Sequence, residues 1–169
     1  MGREERLQRV PAGPARDELI PFLLLADDSE SQMRAYYQQG ELFVLRADDD
    51  TVMGMVLTIP ESNRVVELKA VAVAPERQGR GVGQRMLARV LAELRLAGVQ
   101  RVTVATSSSG IGQLAFYQKV GFRLWKVERD FFSPDRGYAA GLEENGIPLR
   151  DLVWMDQELS FSAPIGESA

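Results

Sequence analysis

A strand that runs directly into a glycine-rich turn, and from there into a long amphipathic helix, dominates the middle of this chain. Residues 65–73 are mostly apolar and rich in valine, glycines follow at positions 79, 81 and 83, and apolar residues then recur at helical spacing. Glycine lets a backbone approach a ligand closely, and the first amides of a helix point outwards at the positive end of its dipole. We therefore expect a phosphate-binding site here, with Arg77 and Arg80 adding positive charge.

Two common phosphate motifs do not fit this turn. A nucleoside-triphosphate loop needs Gly, four residues, then Gly-Lys and Ser or Thr, and no such run follows any predicted strand. A dinucleotide fingerprint needs Gly-x-Gly-x-x-Gly, but Gln84 or Met86 stands where its third glycine would be. The turn must therefore belong to another class of phosphate site.

Two segments of the chain resemble cofactor motifs of the GNAT N-acetyltransferase superfamily. Gln78-x-x-Gly81-x-Gly83 matches the family's acetyl-CoA pattern of Arg or Gln, two residues, Gly, one residue, and Gly or Ala. Residues 113–122 are similar to its second cofactor segment, which ends in Tyr-x-x-x-Gly-Phe. One helix, one strand and a short loop fit between the two segments, as in the family. The resemblance covers roughly residues 65–125.

The resemblance implies an α/β fold with a mixed, mostly antiparallel central sheet. The family sheet has about seven strands, is flanked by about four helices, and splays apart at the cofactor site. Residues 1–160 would then form a single GNAT acetyltransferase domain, followed by a polar C-terminal tail at 161–169. The length of 169 residues and the 45% hydrophobic content suit one core and are too small for two.

Local patterns predict the elements around the turn. Asp17 or a neighbour begins a helix that includes residues 19–24, and Asp28 or Ser29 begins a second helix that ends at Gly40. The remaining predictions are a hairpin at 42–46 and 51–59, a turn at 60–63, a helix ending at Gly98, a strand at 99–105, a helix at 111–120, and strands up to 127 and at 152–159. A long loop at 130–150 is anchored by Phe131 and Phe132.

By resemblance, acetyl-CoA lies with its diphosphate on the turn and its pantetheine arm between the splayed strands. The implied cofactor contacts are Val71, Ala72, Val73, Gln78, Gly79, Arg80, Gly81, Val82, Gly83, Gln84, Ser108 and Tyr117. Many family members have an Asn where this chain has its serines at 107–109, and Ser108 is the proposed substitute, with a bridging water if its reach is too short. Alternatively, these serines cap the helix that begins near Ile111.

Glu67 and Tyr117 are the candidate catalytic residues. Strand alternation places Glu67 on the face of Val71 and Val73, and it stands fourteen positions before Gly81, where the histone-acetylating branch of the family carries its general base. Glu67 is either that base, directly or through a water, or the partner of Lys69 on a solvated face. Tyr117 aligns with a family tyrosine near the cofactor sulfur, where a phenol can donate to a leaving thiolate. Its alternative role is to pack the helix on the sheet.

The composition excludes several chemistries. The chain has no cysteine and no histidine, which removes disulfides, cysteine zinc sites, Cys–His nucleophiles and Ser-His-Asp triads, and we predict no metal site. An acyl group would therefore move by direct attack of the acceptor. The formal charge of −4 and the absence of a basic stripe indicate no nucleic-acid partner. Five acidic residues either attract a cationic acceptor or form a solvated face: Asp27, Asp28, Glu30, Glu143 and Glu144.

Two functional hypotheses follow from the resemblance. The first is an acetyl-CoA-dependent N-acetyltransferase that acts on a small-molecule amine or a peptide amine, and the alternative is a non-catalytic module that senses acyl-CoA. A homodimer is possible, as in the family, and the exposed edge of the last strand is a candidate assembly surface. No stretch resembles a signal peptide or approaches about 18 consecutive apolar residues, so we expect a cytoplasmic protein with no membrane partner.

Overall fold

The computed structural model describes residues 4–27 and 29–159, in nine strands and four α-helices. The strands are β1 (Arg6–Val10), β2 (Glu41–Arg46), β3 (Val52–Ser62), β4 (Val65–Val73), β5 (Arg101–Ser107), β6 (Arg123–Glu128), β7 (Glu143–Glu144), β8 (Ile147–Pro148) and β9 (Leu152–Glu158). The helices are α1 (Ile20–Ala26), α2 (Glu30–Tyr36), α3 (Val82–Leu96) and α4 (Ile111–Val120). Short 3-10 helices lie at Pro14–Leu19, Pro75–Arg77 and Pro134–Arg136. None of the helices in these two ranges is long and apolar enough to cross a membrane.

Seven strands form one sheet in the order β1-β2-β3-β4-β5-β9-β6, and β7 and β8 form a separate hairpin. Every neighbouring pair in the large sheet is antiparallel except β4 and β5, which are parallel. This confirms the predicted mixed, mostly antiparallel sheet with four helices. The predicted free edge was wrong, because the last strand, β9, is paired on both sides and β6 lies at the edge.

Two apolar cores cover the two faces of the sheet. The larger core joins the sheet to α3 and α4, and the smaller joins it to α1 and α2. Strand β2 shows the alternation that builds both layers, because Phe43 and Leu45 pack towards α3 whereas Leu42 and Val44 pack towards α1 and α2. The site described below lies where β4 passes between these layers.

The first two helices differ in part from the sequence prediction. Asp17 does not cap α1; it lies inside the preceding 3-10 helix, and its Oδ1 accepts a hydrogen bond from the Tyr37 hydroxyl at 2.8 Å. Ser29 caps α2 as predicted, with its Oγ accepting from the Gln32 amide at 3.3 Å, whereas Asp28 is outside the described residues. Helix α2 ends at Tyr36, before Gly40.

Strand boundaries shift where the sheet tolerates irregular pairing. Strand β3 runs through Pro60 to Ser62, past the predicted turn, because a register shift between Pro60 and Ser62 accommodates the proline. The turn comprises residues 63–64 only, instead of the predicted 60–63, and Arg64 adopts a φ of 63°. Strand β5 begins at residue 101, two positions later than predicted, and β6 continues to residue 128.

A β-bulge at Lys69 changes which way the central strand presents its side chains. Leu68 pairs with Thr58 and Ala70 with Leu57, so Lys69 has no partner on β3. Val71 therefore packs with the α3 core, whereas Ala70 belongs to the α1–α2 core.

The bulge overturns the predicted common face of Glu67, Val71 and Val73. Glu67 pairs with Ile59, which packs against the α1–α2 core, and paired residues in an antiparallel ladder share a face. Strict alternation failed because one extra residue reverses the register of everything beyond it.

Candidate active site

The parallel strands β4 and β5 separate halfway along their length. Their pairing runs from Val65 opposite Arg101 to Leu68 opposite Val104 and then stops. Beyond it, β4 pairs only with β3, and residues 105–107 pair only with β9. The facing edges of the two strands therefore keep backbone groups free of sheet partners, and the predicted splay is confirmed.

The glycine turn opens next to this splay. Gly79 and Gly81 have φ values of 71° and 74°, a region that glycine occupies at little cost, and Gly81 is the N-cap of α3. The first hydrogen bond of the helix runs from the Arg85 amide to the Gly81 carbonyl at 3.1 Å. Among the described residues, no group accepts from the amides of residues 79–84. Six consecutive donors are thus available to an anion.

Contacts beside the turn hold it against the sheet and α4. A Cβ on Gly83 would lie 3.1 Å from the Phe116 ring and 3.3 Å from the Val73 side chain, so a larger residue would have to displace these neighbours. The Gln78 side-chain amide donates to the Val73 carbonyl at 3.1 Å, which ties the turn to the end of β4. Arg85 is engaged elsewhere, because it forms an ion pair with Glu5 at 2.6 Å.

Two clefts meet at the splay. The glycine-turn cleft, of about 690 Å³, is lined by the turn, the end of β4 and the start of α4. The Glu67 cleft, of about 390 Å³, is lined by β4, β5, α1 and the 130–150 segment. Both clefts are lined by Leu25, Val71, Gln113 and Tyr117. A ligand in one cleft therefore adjoins a ligand in the other.

Most predicted cofactor residues line the glycine-turn cleft. They are Val71, Ala72, Val73, Gln78, Gly79, Gly81, Val82, Gly83, Gln84 and Tyr117. Arg80 and Ser108 are not among its lining residues; Arg80 is an exposed residue of the turn whose carbonyl accepts from Arg85 at 3.1 Å. Arg77, Gly112, Phe116 and Lys119 line the cleft without having been predicted as contacts.

Glu67 is shielded from solvent and lies beside one cation. Its side chain is 15% exposed, and its Oε1 is 3.8 Å from the Lys69 ammonium. Burial raises the pKa of Glu67 above its ordinary value, the charge on Lys69 opposes this shift, and Glu61 adds to it. The ion pair that the sequence offered as an alternative is present, with the Glu67 side chain largely buried and the Lys69 side chain still partly exposed.

Tyr117 combines both of its predicted environments. Its ring packs edge to face against Phe116 and Phe122, with centroid distances of 5.2 and 5.8 Å, and the residue also lines both clefts. Burial raises the pKa of its hydroxyl, which therefore keeps its proton at physiological pH. Within the described ranges, no group forms a hydrogen bond with this hydroxyl.

The serine-rich turn does not cap the helix that follows it. Helix α4 has Gly110 as its N-cap and no side-chain cap, so the capping role was wrong. Ser107, rather than Ser108, lines the Glu67 cleft, and its Oγ donates to Glu144 Oε2 at 2.8 Å. The Ser108 amide donates to the Asp151 carbonyl at 2.9 Å. A contact from Ser108 to the cofactor stays a prediction.

The 130–150 segment closes one side of the Glu67 cleft. Phe131, Phe132 and Tyr138 form an aromatic cluster, with centroids 5.2 Å apart for the two phenylalanines and 4.9 Å apart for Phe132 and Tyr138. The β7–β8 hairpin turns at Asn145 and Gly146, whose φ values of 56° and 71° are those of a tight hairpin turn. The Asn-Gly pair was a signal for this hairpin, and Gln113 begins the segment that resembles the family's second cofactor motif, whereas nothing in the sequence pointed to Tyr138 or Trp154 as lining residues.

Of the five acidic residues considered for the cleft mouth, Asp27 and Glu144 line the Glu67 cleft. The Asp27 carboxylate accepts from the Tyr36 hydroxyl and from the Ser29 amide, both at 2.9 Å. Glu144 also accepts from Gln113 at 3.2 Å. Glu30 forms an exposed ion pair with Arg34, Glu143 does not line the cleft, and Asp28 is outside the described residues.

Comparison with known proteins places this geometry in a family. Residues 14–122 match the acetyltransferase (GNAT) family. The chain is 34% identical to an uncharacterised N-acetyltransferase, YvbK, of Bacillus subtilis (strain 168), over 81% of this chain and 86% of the relative. A Bacillus subtilis acetyltransferase crystallised with CoA superposes with a TM-score of 0.82 at 30% identity, covering 93% of this chain and 100% of that one. A GNAT acetyltransferase from Elizabethkingia anophelis with acetyl-CoA bound gives 0.80 at 29% identity, covering 91% and 97%.

The donor set also fits this cofactor on chemical grounds. Six free amides at a helix start suit a diphosphate, and the unpaired edge of β4 offers the backbone groups that an amide-containing arm needs. Glycine at position 83 leaves space between the turn and the Phe116 and Val73 side chains, and a larger residue would fill this space. The chain belongs to the GNAT family and is an acetyl-CoA-dependent acetyltransferase.

Proposed function

We propose that this enzyme transfers an acetyl group from acetyl-CoA to a primary amine by direct attack within a ternary complex. One observation carries the proposal: the glycine-turn cleft and the Glu67 cleft share their lining at Val71 and Tyr117, so both substrates can be bound at once. The chain has no cysteine or histidine for an acyl-enzyme relay. The name of the Bacillus subtilis relative, an N-acetyltransferase, supports nitrogen as the acceptor atom.

The cofactor half of the site binds through backbone groups. The amides of residues 79–84 hold the diphosphate, and the unpaired edge of β4 near Val71 and Val73 holds the pantetheine arm. Acetyl-CoA supplies the acetyl thioester. Because these contacts use backbone donors, they fix its position with little dependence on side-chain identity, and Arg77 and Arg80 add positive charge nearby.

Glu67 acts as the general base on the acceptor side. Its carboxylate takes a proton from the acceptor ammonium, directly or through one water, and leaves a neutral amine able to attack. The reference pKa of a glutamate carboxyl group is about 4.3, whereas that of a lysine ammonium is about 10.4. A carboxylate with the reference pKa is therefore a poor base for an ammonium. Burial narrows this gap by raising the pKa of Glu67.

Tyr117 acts as the donor to the leaving sulfur. It lies on the shared wall of the two clefts, and its raised pKa keeps the hydroxyl protonated, so that the hydroxyl can donate a hydrogen bond. A developing thiolate can accept this bond and is stabilised by it without taking the phenolic proton. The rings of Phe116 and Phe122 fix the orientation of Tyr117, so little entropy is lost when the bond forms.

The charge of the Glu67 cleft favours a cationic acceptor. Three carboxylates line it, from Asp27, Glu67 and Glu144, against one ammonium, from Lys69. In the described part of the chain, neither Asp27 nor Glu144 forms an ion pair. The aromatic cluster beside them offers an apolar wall. We therefore expect a small-molecule or peptide amine whose surroundings are cationic or apolar, and not one flanked by carboxylates.

Thiol release measured against a panel of amines tests this function. The panel contains a diamine, an arylalkylamine, an acidic amino acid and short peptides with neutral or acidic N-termini. The proposal expects release above background with at least one cationic member and least with the acidic ones. A sensor of acyl-CoA would instead bind acetyl-CoA tightly in calorimetry and release no thiol with any amine, and that result would contradict the proposal.

A further inference from the structure

One of the few lysines of this chain lies inside the acceptor cleft. Three of its 20 basic residues are lysines, at positions 69, 119 and 126, and all the others are arginines. Lys69 lines the Glu67 cleft. Arginine is not an acetyl acceptor at neutral pH because it keeps its proton, whereas lysine is a primary amine that becomes nucleophilic once deprotonated.

Lys69 lies at the bulge of β4, two residues after Glu67, and both side chains line the Glu67 cleft. Residues two apart on a strand share a face, which places the Lys69 side chain beside Glu67. Its Nζ lies 3.8 Å from Glu67 Oε1 and 5.0 Å from the centre of the Tyr36 ring. The side chain is 35% exposed, so neither contact buries the amine completely.

The Lys69 ammonium therefore lies where an acceptor ammonium would have to lie relative to Glu67. Its amine is close to the carboxylate but beyond direct hydrogen-bonding distance, where one water or a small shift connects them. Val71 and Tyr117 line both this cleft and the glycine-turn cleft, so the cleft that holds Lys69 adjoins the one that would hold the thioester. The flexible four-carbon stem of lysine lets the amine change position within the cleft.

We propose that Lys69 is a self-acetylation site of the enzyme, used when no acceptor fills the Glu67 cleft. Glu67 takes one proton from the Lys69 ammonium, the Nζ lone pair forms a bond to the acetyl carbon, the carbon–sulfur bond breaks, and the thiolate leaves as CoA thiol after protonation. The net reaction converts an ammonium and a thioester into an amide, a thiol and one released proton. This inference rests on the proposed role of Glu67 in the transferase reaction.

Acetylation would change the charge of the cleft. The amide that forms is neutral, so Glu67 loses the one cation that pairs with it, and the cleft is left with three carboxylates and no ammonium. A modified enzyme would bind cationic acceptors more strongly by charge but would carry a bulkier side chain beside its base.

The two other lysines serve as internal references. Lys119 lines the glycine-turn cleft, but no carboxylate of the described chain lies within ion-pair distance of it. Lys126 lies on β6, with its Nζ 4.6 Å from the centre of the Trp125 ring. Chemical acetylation by the thioester alone would mark these lysines too, whereas Glu67-dependent acetylation would favour Lys69.

Peptide mapping by mass spectrometry after incubation with acetyl-CoA, without an amine acceptor, tests the site. We expect one acetyl group at Lys69, at a rate at least tenfold above that at Lys119 or Lys126, as for a single general base. Glu67→Gln should reduce the Lys69 rate to that of the references, and Lys126→Arg should leave it unchanged. A saturating amine that the enzyme acetylates should slow the modification by competition.

The other results distinguish this site from uncatalysed chemistry and from the transferase function. Equal labelling of the three lysines, or labelling of Lys69 that persists in Glu67→Gln, would mean uncatalysed chemistry. Turnover of an external amine without modification of Lys69 would refute self-acetylation and leave the transferase function standing. Glu67-dependent modification without turnover of any amine would support this site and count against the external acceptor. No acetylation of either kind would refute both.

Discussion

The cofactor half of the active site is formed mainly by backbone groups, whereas the acceptor half is formed by side chains. The cofactor half consists of a continuous segment, residues 71–84, that acts through backbone amides and glycine geometry. The acceptor half gathers side chains from α1, β4, β5 and the 130–150 segment, which are far apart in sequence. The first half can bind the same cofactor across a family, whereas the second can change its acceptor by substituting single side chains.

This contrast predicts where substitutions act. A change in the cofactor half should alter acetyl-CoA affinity and affect every acceptor alike. A change in the acceptor half should leave acetyl-CoA affinity intact and alter turnover or acceptor binding. The predictions below test this division, and a substitution that crosses it would show that the halves are coupled.

Glu67→Gln should have the largest effect. Removing the base while keeping the shape of the side chain should lower kcat by about 100-fold or more, the usual contribution of general base catalysis. Acetyl-CoA affinity, measured by calorimetry, should change by less than about twofold because Glu67 does not line the glycine-turn cleft. Glu18→Gln, an exposed carboxylate that lines neither cleft, is the matched control. An unchanged kcat in Glu67→Gln would remove Glu67 from catalysis.

Gly81→Val should have the next largest effect, on cofactor affinity. A branched side chain at a φ of 74° costs about 1–3 kcal/mol, so the turn would rearrange and lose its anion site. We expect acetyl-CoA affinity to fall at least about tenfold, whichever amine is used. Gly98→Val is the control, because Gly98 follows the other end of α3 with a φ of 85° and lies away from both clefts. Equal loss of affinity in both variants would mean that helix stability, not the anion site, is responsible.

Tyr117→Phe should lower kcat by about tenfold, since a hydrogen bond to a charged atom contributes about 1.5–3 kcal/mol. The change keeps the aromatic packing against Phe116 and Phe122, so acetyl-CoA affinity and thermal stability should be nearly unchanged. Steady-state kinetics with acetyl thioesters whose thiols differ in pKa, at one fixed amine acceptor, would separate the effect on the sulfur from one on the amine. A loss of stability instead of turnover would assign Tyr117 to packing alone.

The sequence predicted the cofactor half better than the acceptor half for a physical reason. Glycines at 79, 81 and 83 and the helix start are local features that a short window contains, and the splay follows from the family fold. The face of Glu67 could not be predicted, because the bulge at Lys69 arises from pairing with β3 rather than from the local pattern. Tyr138 reaches the acceptor cleft through tertiary packing of the 130–150 segment, which leaves no periodic signal.

Glu144→Ala should have a modest effect confined to the acceptor half. The carboxylate accepts from Ser107 and Gln113 and so fastens the β7–β8 hairpin to the sheet and α4. Its loss should lower the free energy of unfolding by about 1–2 kcal/mol and raise the acceptor KM a few-fold. Glu143→Ala, next to it but outside the cleft, is the matched control and should change neither quantity. A change in acetyl-CoA affinity in Glu144→Ala would contradict the division of the site.

We expect the smallest of these effects in the pH dependence of kcat/KM for the acceptor. Glu67 must be deprotonated to act as a base, so kcat/KM for the acceptor rises as the pH increases through its pKa, which burial raises and Lys69 lowers. Lys69→Met removes the opposing charge and should move this acidic limb to higher pH, whereas Lys126→Met, on the edge strand, should not.

The same carboxylate gives a second readout in stability. Because the native pKa of Glu67 is raised, folding favours its protonated form, and this contribution is lost as the pH rises through the native pKa. Glu67→Gln should therefore lack both the acidic limb and this pH-dependent loss of stability, which thermal unfolding at several pH values would show. A limb that stays in Glu67→Gln would assign the base to another group of the acceptor half, with Asp27 and Glu144 the carboxylates that line the same cleft.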